Sequence, residues 1–513
     1  MSKWHHDKGI YTIGYLFAPD GKLYQNADLC TYFENIETEI DFQNKLLSAN
    51  GAFSVIIQKT QSELWMAVDR FRYFSIFYRQ NNEDLLISDE ITDLFEPNEP
   101  LNLDEESYIV FRGLGYTLGK KTLLRDVFQI QAGEYIVYNN NKTVQTFYHR
   151  HFSEIKNISF DAAKEQLKNI LCNVGKRMSE FLCNRPILLP LSGGLDSRLI
   201  AFLLKKEGKE NVLCFTYGKK EGNPEWKNSR EVAEKLGFKW LFIDYTTIND
   251  TEYHKQKQFI DYYKYAAQYV SKFYATQYFA ANYLFDEINI PMNTVILPGH
   301  GGDFFSGSHL RPYMENYRKI STIAKDLQIM HFHISGLVET SVKEKKSVEK
   351  IIQADLKDIS PLFHNIENWD LKERQAKYII NSNRLWEYRG ICNYMPLCDT
   401  ELIDFFVSLP FEFRLNQKLY KAVISELFDE FNINFSKDIK KMEITVVQQI
   451  KIFIKRLLPF LRKKNDIFSG DYFDFKRLSQ PILKELEEMK ENRKILSFNG
   501  IFSEWYLLQI KNN

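Results

Sequence analysis

Residues 187–204 contain the feature that most restricts the fold of this 513-residue chain. An apolar run, ILLPL, is followed at once by SGGLDS (residues 192–197), and a helical apolar pattern begins at Arg198. A strand that enters a glycine turn and then a helix presents several backbone N–H groups to one anion. The glycines let the backbone approach that anion closely. The segment therefore predicts a strand–loop–helix unit whose loop binds an anion.

Two serines and an aspartate add to this loop. Ser192 and Ser197 supply hydroxyls, and Asp196 can hold the Mg²⁺ that accompanies a polyphosphate. The loop is not of the GxxxxGK[ST] type, because no lysine follows its second glycine. It resembles the pyrophosphate loop of ATP pyrophosphatases, which split ATP between the α and β phosphates. The alternative is a Gly-Gly turn that only joins a strand to a helix.

Length and composition predict a globular protein of two or three domains. Lys+Arg and Asp+Glu are both 67, so no net charge favours nucleic acid or a membrane surface. The six cysteines are scattered and include no CxxC pair, so neither a disulfide framework nor a zinc site is indicated. The first residues are too polar for a signal peptide, and no apolar run is long enough to span a membrane. A cytoplasmic location is expected.

Two patterns divide the chain. The first 150 residues contain short β-rich runs, at residues 51–58, 64–70, 74–80 and 84–90, and a hairpin at 133–150. A helical period begins at Phe160, after which strand-like runs at 187–191, 212–218 and 240–245 alternate with helical ones, and the run TVILPGHGGD (294–303) follows. Such alternation predicts a parallel sheet covered by helices on both faces, with ligands at the carboxyl ends of its strands. The chain after about residue 320 is mostly helical.

A second loop, PGHGGDFFSG (residues 298–307), completes a resemblance to the asparagine synthetases. It is similar to the GEGADELFGG loop of that family. Residues 51–91, residues 111–138 and MPLCDTELIDFFVSLP (395–410) are similar to further stretches of it. The chain is identified as a member of the asparagine synthetase superfamily. This implies an α/β fold: an Ntn-hydrolase-like, β-rich sandwich at residues 1–152, and a Rossmann-like parallel-sheet domain of the adenine nucleotide α hydrolase type with a helical C-terminal part at 158–513.

The resemblance also implies a reaction and its site. A substrate carboxylate attacks the α-phosphorus of ATP to give an acyl-adenylate and pyrophosphate, and ammonia or an amine then displaces AMP. Asp196 and Asp303 would carry Mg²⁺. The residues expected to bind ATP and pyrophosphate are Leu191, Ser192, Gly193, Gly194, Asp196, Ser197, Phe215 and Gly299. The expected partners are a small-molecule, peptide or glycan carboxylate and the amine, with no nucleic acid and no stable membrane insertion.

The N-terminal region departs from the glutamine-dependent members of the family. Those members begin, after removal of Met, with a cysteine whose own α-amine acts as its base. Here Ser2 stands in that place and the first cysteine is Cys30. The domain is therefore expected to keep the scaffold without hydrolysing glutamine. β-Lactam synthetases and lasso-peptide cyclases similarly lack this cysteine and use an amine that the substrate already carries.

The second loop departs from the family at His300 and Phe304, where glutamates are usual. His300 is either a general base for the attacking amine or a residue that orients the loop and the phosphate. A catalytic lysine is expected from the family, and Lys441 with Lys440 beside it is the nearest match. Glu387 is a candidate partner for His300. Arg198 either adds charge to the phosphate cradle or pairs elsewhere.

Three further patterns are interpreted as structural. Lys421 is interpreted as a residue of a helix. The pair His331 and His333 has the spacing of a strand but no third ligand nearby in sequence, so a surface pair is preferred to a metal site. The basic, apolar segment 451–464 either lies on anionic lipid or packs against the ligase domain, and its proline favours packing.

Three hypotheses of function follow. The first is an ATP-dependent, AMP-forming carbon–nitrogen ligase that takes ammonia or a substrate amine. The second is a macrocycle- or lactam-forming cyclase acting on a peptide. The third is a nucleotide-binding scaffold without catalysis, which the loss of the glutamate after Asp303 favours and the complete SGGLDS loop opposes.

Overall fold

The computed structural model describes residues 3–81, 84–97, 99–223, 225–250, 252–334, 337–434, 467–468, 471–488 and 494–512. Its strands are β1 His5–Asp7, β2 Ile10–Phe17, β3 Leu23–Gln25, β4 Asn50–Gln58, β5 Glu63–Val68, β6 Phe77–Asn81, β7 Asp84–Ser88, β8 Val127–Gln129, β9 Glu134–Asn139, β10 Lys142–Phe147, β11 Ile187–Pro190, β12 Val212–Gly218, β13 Lys239–Asp244, β14 Val295–Ile296 and β15 Cys392–Asn393.

The helices are more numerous after residue 160 than before it. They are α1 Asp28–Tyr32, α2 Glu39–Ser48, α3 Glu105–Leu114, α4 Phe160–Leu182, α5 Leu195–Lys206, α6 Glu225–Leu236, α7 Lys257–Ala267, α8 Tyr278–Asp286, α9 Gly302–Phe305, α10 Ile320–Leu327, α11 Val342–Asp355, α12 His364–Asp370, α13 Arg384–Tyr388, α14 Thr400–Val407, α15 Phe411–Arg414, α16 Lys418–Asp429, α17 Phe475–Leu478, α18 Gln480–Glu488 and α19 Phe498–Asn512. The segments Gln328–Ile334 and Leu371–Ile379 are π-helical.

The N-terminal region is a β-rich sandwich, as predicted. Its larger sheet has the order β1-β2-β4-β5-β9-β10, with β3 paired to β2, and its smaller sheet has the order β7-β6-β8. Met66, Val68 and Ile136 of the larger sheet pack against Ile76 and Tyr78 at the smaller one. Because side chains alternate along a strand, the opposite face of the larger sheet is free to bury helices α1 and α2.

The second sheet is parallel and has the order β13-β12-β11-β14-β15. Ile187 and Leu189 face the helical layer formed by α4, α5 and α16, whereas Leu188 faces the layer formed by α7, α8 and α13. This alternation confirms the prediction of a parallel sheet buried on both faces. The described strands at 212–218 and 239–244 agree with the predicted runs.

Some elements differ from the prediction. Strand β6 begins at Phe77 rather than residue 74, because residues 69–76 form a turn around the buried Asp69, whose carboxylate accepts backbone N–H groups. Strand β15 lies in the region expected to be helical, and it adds an edge to the parallel sheet. A strand of two residues is too short for a periodic sequence pattern to reveal it. The division of the chain between residues 152 and 158 stays a prediction.

Candidate functional site

The loop after β11 has the conformation that its glycines permit. Gly193 has a φ of +76°, and a Cβ at this residue would lie 2.9 Å from the Cβ of Asn228. Gly194 is the N-cap of α5, so the backbone N–H groups of the first turn of this helix point into the loop. A helix N-terminus preceded by such a loop favours negative charge. The strand–loop–helix unit that the sequence predicted is present.

The two serine side chains hold the loop in this shape. The backbone N–H of Gly194 donates to Ser192 Oγ at 3.2 Å, and the N–H of Ser192 donates to Ser197 Oγ at 3.3 Å. The two hydroxyl oxygens are themselves 3.3 Å apart. Both serines therefore point toward the same side of the loop, where they add donors to the backbone N–H groups.

Asp196 lies where the two glycine loops meet. Its Oδ2 accepts the backbone N–H of Asp303 at 2.8 Å, and its Oδ1 accepts the hydroxyl of Tyr420 at 2.8 Å. Burial, and then the nearby carboxylate of Asp303, raise the pKa of Asp196 to about 7. Two acidic side chains thus share one place at the carboxyl ends of the strands, where a cation would relieve their repulsion.

Gly302 allows this contact between the loops. A Cβ at Gly302 would lie 2.6 Å from both Cγ and Oδ1 of Asp196. We expect Gly302→Ala to displace the carboxylate and to destabilise the protein by about 1–3 kcal/mol, the usual cost of overpacking. The measurement is the urea unfolding midpoint of each variant.

Gly299→Ala is the matched control for this prediction. Its Cβ would meet Ser197 N at 3.4 Å and Asp196 Cβ at 3.6 Å, which are ordinary contacts. We expect its unfolding midpoint to stay close to that of the wild type. Equal destabilisation by both alanines would show that the space around Asp196 is not limiting.

A cavity of about 420 Å³ lies at the carboxyl ends of the strands, and we call it the carboxyl-end cavity. Nine of the residues singled out from the sequence line it: Leu191, Ser192, Gly194, Asp196, Ser197, Phe215, Gly299, His300 and Asp303. Gly193 is buried behind them and does not line the cavity. The sequence motifs therefore meet at one place, as the topology of a parallel sheet requires.

The cavity has an apolar end formed by β11 and β12. Phe215 is fully buried, and its carbonyl accepts the N–H of Leu191 at 2.9 Å. The carbonyl of Leu191 accepts the hydroxyl of Thr216 at 2.6 Å. An aromatic ring beside fixed backbone groups suits a planar heterocycle.

Further residues of the cavity were not found from the sequence. They include Thr216, Tyr217, Glu225, Gln277, Gln417 and Phe473. Tyr217 stacks on Phe473 with ring centroids 5.5 Å apart. The sequence could have indicated Tyr217, because this residue lies near the carboxyl end of the strand predicted at 212–218. Phe473 follows a long segment without a motif, so only the tertiary structure brings it here.

Comparison with known proteins now identifies the family. The profile of the family described as "Asparagine synthase" matches residues 174–461, more than half of the chain. The chain belongs to the asparagine synthase family.

The curated relatives of this family member match it over only part of each chain. The microcin J25-processing protein McjC of Escherichia coli is 25% identical over 178 residues, 34% of this chain and 32% of McjC. A probable glutamine-hydrolysing asparagine synthetase of Acanthamoeba polyphaga mimivirus is 26% identical over 285 residues, 52% of this chain and 47% of that protein. The NH3-dependent NAD⁺ synthetase of Fusobacterium nucleatum is 38% identical over 73 residues, 14% of this chain and 28% of the synthetase. The chain therefore spans at most about half the length of these relatives.

Solved structures give weaker global similarity. An NH3-dependent NAD synthetase from Campylobacter jejuni has 17% identity and a TM-score of 0.22, and the match covers 44% of this chain and 96% of that one. A glutamine phosphoribosylpyrophosphate amidotransferase from B. subtilis has 9% identity and a TM-score of 0.17, and the match covers 64% and 59% of the two chains.

His300 lies at the edge of the carboxyl-end cavity of this asparagine synthase family member. Its Nε2 is 3.2 Å from Ser382 Oγ. Burial lowers the pKa of His300 to about 4, against a small opposing effect of a hydrogen bond with Asn383. Glu387 does not contact His300; its Oε2 accepts a hydrogen bond from the Tyr265 hydroxyl at 3.5 Å. The imidazole is therefore neutral at pH 7 and has uncharged partners.

Arg198 points away from the phosphate side of its loop. Its Nε donates to the carbonyl of Gly194 at 3.2 Å, and its Nη1 donates to the carbonyl of Ile433 at 3.3 Å. The guanidinium also lies over the ring of Phe428 at 5.4 Å. Of the two roles left open by the sequence, the structure favours pairing within the core.

Phe304 is a core residue in this member of the family. It is 3% exposed, and its ring stacks on His309 with centroids 4.8 Å apart. The residue that replaces the usual glutamate therefore anchors the second loop through packing.

The catalytic lysine expected at the site falls in a segment that the structure does not describe. Among the described residues, no lysine or arginine lines the carboxyl-end cavity. Lys441 and Lys440 lie outside the described residues, as does the basic segment 451–464. Lys421 lies on α16, in agreement with the expectation of a helix residue.

Cys30, the cysteine of the N-terminal region, is not in a nucleophile's environment. Ser2 lies outside the described residues. Cys30 is 1% exposed, and its thiol lies 3.2 Å from the hydroxyl of Thr12 and 3.5 Å from the carbonyl of Ile10. A reactive thiol needs a nearby base or cation and access to solvent, and neither hydroxyl nor carbonyl supplies these.

The pair His331 and His333 belongs to a π-helical segment, so the expected strand spacing is wrong. His331 Nε2 is 3.6 Å from Asp370 Oδ2. In the part of the chain that the structure describes, no three His, Cys, Asp or Glu residues group as they would around a metal ion. The described helices are also too short or too polar to cross a membrane.

Proposed function

We propose that this protein is an ATP-dependent, AMP-forming carbon–nitrogen ligase that joins a carboxylate to ammonia or an amine without hydrolysing glutamine. The observation that carries the proposal is the meeting of the SGGLDS loop and the second glycine loop around Asp196 in one cavity. Membership of the asparagine synthase family supports the use of ATP.

The first step places the triphosphate at the SGGLDS loop. The carboxylate oxygen of the substrate attacks the α-phosphorus, and the bond to the pyrophosphate oxygen breaks. The N–H groups at the start of α5, with the hydroxyls of Ser192 and Ser197, bind the leaving pyrophosphate, where the negative charge increases. Leu191, Phe215 and Gly299 surround the adenosine.

Asp196 and Asp303 would hold Mg²⁺ in this proposal. Two carboxylates beside a phosphate loop fit this ion, which takes oxygen ligands and usually binds one or two carboxylates together with substrate phosphates. When bound, it neutralises charge on the phosphates. The pKa of Asp196 is raised first by burial and then by the Asp303 carboxylate, and a cation would offset both effects.

In the second step an amine nitrogen attacks the acyl carbon and AMP leaves, while the amine loses a proton. Lys441 remains our candidate for stabilising the oxyanion. His300 is the proton acceptor or an orienting residue, and its lowered pKa supports orientation, because a general base works best with a pKa near the working pH.

We expect His300→Gln to lower the rate of AMP formation by less than about tenfold, whereas removal of a general base costs about 10²–10⁴-fold. The measurement is the pH–rate profile from pH 5 to 9. Its shape should match that of the wild type, because a group with a pKa of about 4 stays neutral over this range. A loss of more than about 100-fold would establish His300 as the base.

The test of the proposed function traps the activated carboxylate. The protein is incubated with ATP, Mg²⁺, hydroxylamine and a panel of free amino acids, sugar acids and peptides with acidic side chains. We expect AMP, pyrophosphate and a hydroxamate to form in equal amounts with the correct acid. Ammonium should replace hydroxylamine, and glutamine should not. Release of ADP, or glutamate formed from glutamine, would contradict the proposal.

A second candidate is a cyclase that closes an amide within one peptide. The similarity to a protein named for microcin J25 processing favours it, together with the buried environment of Cys30. It predicts loss of one water from a peptide that carries both its amine and its acid, measured by mass spectrometry. A scaffold without catalysis is the third possibility, and formation of AMP would exclude it.

A further inference from the structure

A turn from the C-terminal part of the chain lies against the carboxyl end of β12. The backbone N–H of Lys219 donates to the carbonyl of Tyr472 at 2.8 Å. Gly218 has a φ of +114°, and a Cβ at this residue would lie 2.3 Å from the carbonyl oxygen of Tyr472. Only glycine leaves room for this approach. We call residues 471–475 the C-terminal turn.

The C-terminal turn has a fixed shape. Asp471 Oδ1 accepts the backbone N–H groups of Phe473 at 3.2 Å and of Phe475 at 3.0 Å. Helix α17 follows at once, and its Arg477 donates to the carbonyl of Tyr245 at 2.8 Å, just after β13. The turn is therefore held on the sheet by contacts within the chain, so a ligand that binds against it pays little to order it.

Phe473 is the side chain that this turn places in the carboxyl-end cavity. It lines the cavity together with Phe215 and Tyr217. Its ring is partly exposed and stacks on Tyr217 with centroids 5.5 Å apart. Tyr217 stacks in turn on Tyr245 at 5.4 Å. The aromatic row Tyr245–Tyr217–Phe473 thus ends at the cavity, where a planar base would extend it.

The group that contacts Phe473 is either the base of ATP or an apolar part of the carboxylate substrate. In the sheet, β12 and β14 lie on opposite sides of β11, which carries the SGGLDS loop. Phe473 and Phe215 are on the β12 side, whereas His300 and Asp303 follow β14. With the phosphates at the central loop, the base on the β12 side leaves the β14 side to the reacting carboxylate. This arrangement favours the base.

We propose that Phe473 positions the nucleotide by stacking on its base and that it favours a purine over a pyrimidine, because the larger ring covers more of the phenyl face. The inference rests on the proposed function for the identity of the nucleotide. It adds a positioning residue from the C-terminal part of the chain to a site otherwise built on the strand ends.

The test is isothermal titration of the full chain with ATP and with CTP in the presence of Mg²⁺ and without a carboxylate substrate. We expect Phe473→Leu to bind ATP about 5–150-fold more weakly, the usual effect of losing one base–aromatic contact. Binding of CTP should weaken less, so the ratio of the two affinities falls. Phe473→Tyr keeps the ring and should restore both. Thermal melting checks that each variant folds.

Gly218→Ala tests the same contact without changing the ring. Its Cβ would displace the C-terminal turn, so ATP binding should weaken as in Phe473→Leu. The matched control is Gly222→Ala, because Gly222 also has a positive φ, +70°, but its Cβ would meet nothing within 4 Å. Both alanines strain the backbone, and only the first moves Phe473. Gly222→Ala should therefore bind ATP as the wild type does.

The outcomes separate this inference from the proposed function. If Phe473→Leu binds ATP as tightly as the wild type, keeps the ratio of ATP to CTP affinity, or raises only the KM for the acid, the inference is overturned while the ligase stands. If the ratio falls as expected but the wild type forms no AMP with any acid, the inference is supported and the ligase is contradicted. If the wild type binds neither nucleotide, both are overturned.

Discussion

Replacing Asp196 with asparagine will lower AMP and pyrophosphate formation by at least about 10²–10³-fold, the usual cost of losing an electrostatic group at the reacting phosphate. The asparagine keeps the size of the side chain but removes the charge proposed to hold Mg²⁺. It also places an amide where one oxygen accepts the N–H of Asp303 and the other accepts the hydroxyl of Tyr420. The measurement is AMP release with saturating ATP and hydroxylamine.

The stability of this variant separates lost chemistry from lost folding. The folded pKa of Asp196, about 7, lies above the ordinary carboxyl value near 4. The protonated carboxyl of Asp196 therefore stabilises the folded protein fully below about pH 4, and this stabilisation is lost as the pH rises toward 7. At pH 8 without a cation, the ionised carboxylate destabilises the folded protein. The variant should melt no lower than the wild type in Mg²⁺-free buffer at pH 8.

The matched control is Asp161→Asn, because Asp161 is also an aspartate in the first turn of a helix and is exposed. Its activity should equal that of the wild type. Full turnover by Asp196→Asn would remove the basis of the proposed function.

Replacing Glu367 with glutamine will destabilise the protein by about 3–5 kcal/mol, since it leaves a buried guanidinium without its counter-charge. Glu367 and Arg414 are both fully buried, and Arg414 Nη1 donates to Glu367 Oε2 at 2.9 Å. Arg414 also donates to the carbonyl of Phe305 at 3.0 Å, and His309 Nε2 lies 3.2 Å from Glu367 Oε1. The Glu367–Arg414 pair therefore contacts the second glycine loop and stabilises it.

The experiment compares denaturant unfolding of Glu367→Gln with that of Glu234→Gln. Glu234 pairs with Arg230 at 2.7 Å on the surface, where both side chains are more than half exposed, and its loss should cost less than about 1 kcal/mol. A similar small change in both variants would show that the buried pair adds little.

The same pair predicts a dependence on pH. Burial alone would raise the pKa of Glu367, but Arg414 and His309 hold it well below its ordinary value. A depressed carboxyl pKa stabilises the fold above about pH 4 and loses this effect as the pH falls through the folded value. The difference in stability between wild type and Glu367→Gln should therefore shrink in acid.

The local sequence was sufficient for the strand–loop–helix unit and for the sheets. Strand β12 and helix α4 begin where the patterns indicated, because period and glycine placement act over a few residues. The likeness of the two glycine loops to one family predicts that Asp196 and Asp303 lie together, and the backbone N–H of Asp303 donates to Asp196 Oδ2.

The tertiary structure decided the partners of these residues. Tyr420 reaches Asp196 across 224 residues of sequence, and its helix has no motif that announces this contact. Arg198 turns into the core because Ile433 and Phe428 offer it a carbonyl and an aromatic face there. The sequence by itself determined the anion loop and the parallel sheet, since backbone conformation and side-chain period are local properties. Which side chains meet at the loop depends on how distant helices pack, and this is a property of the whole fold.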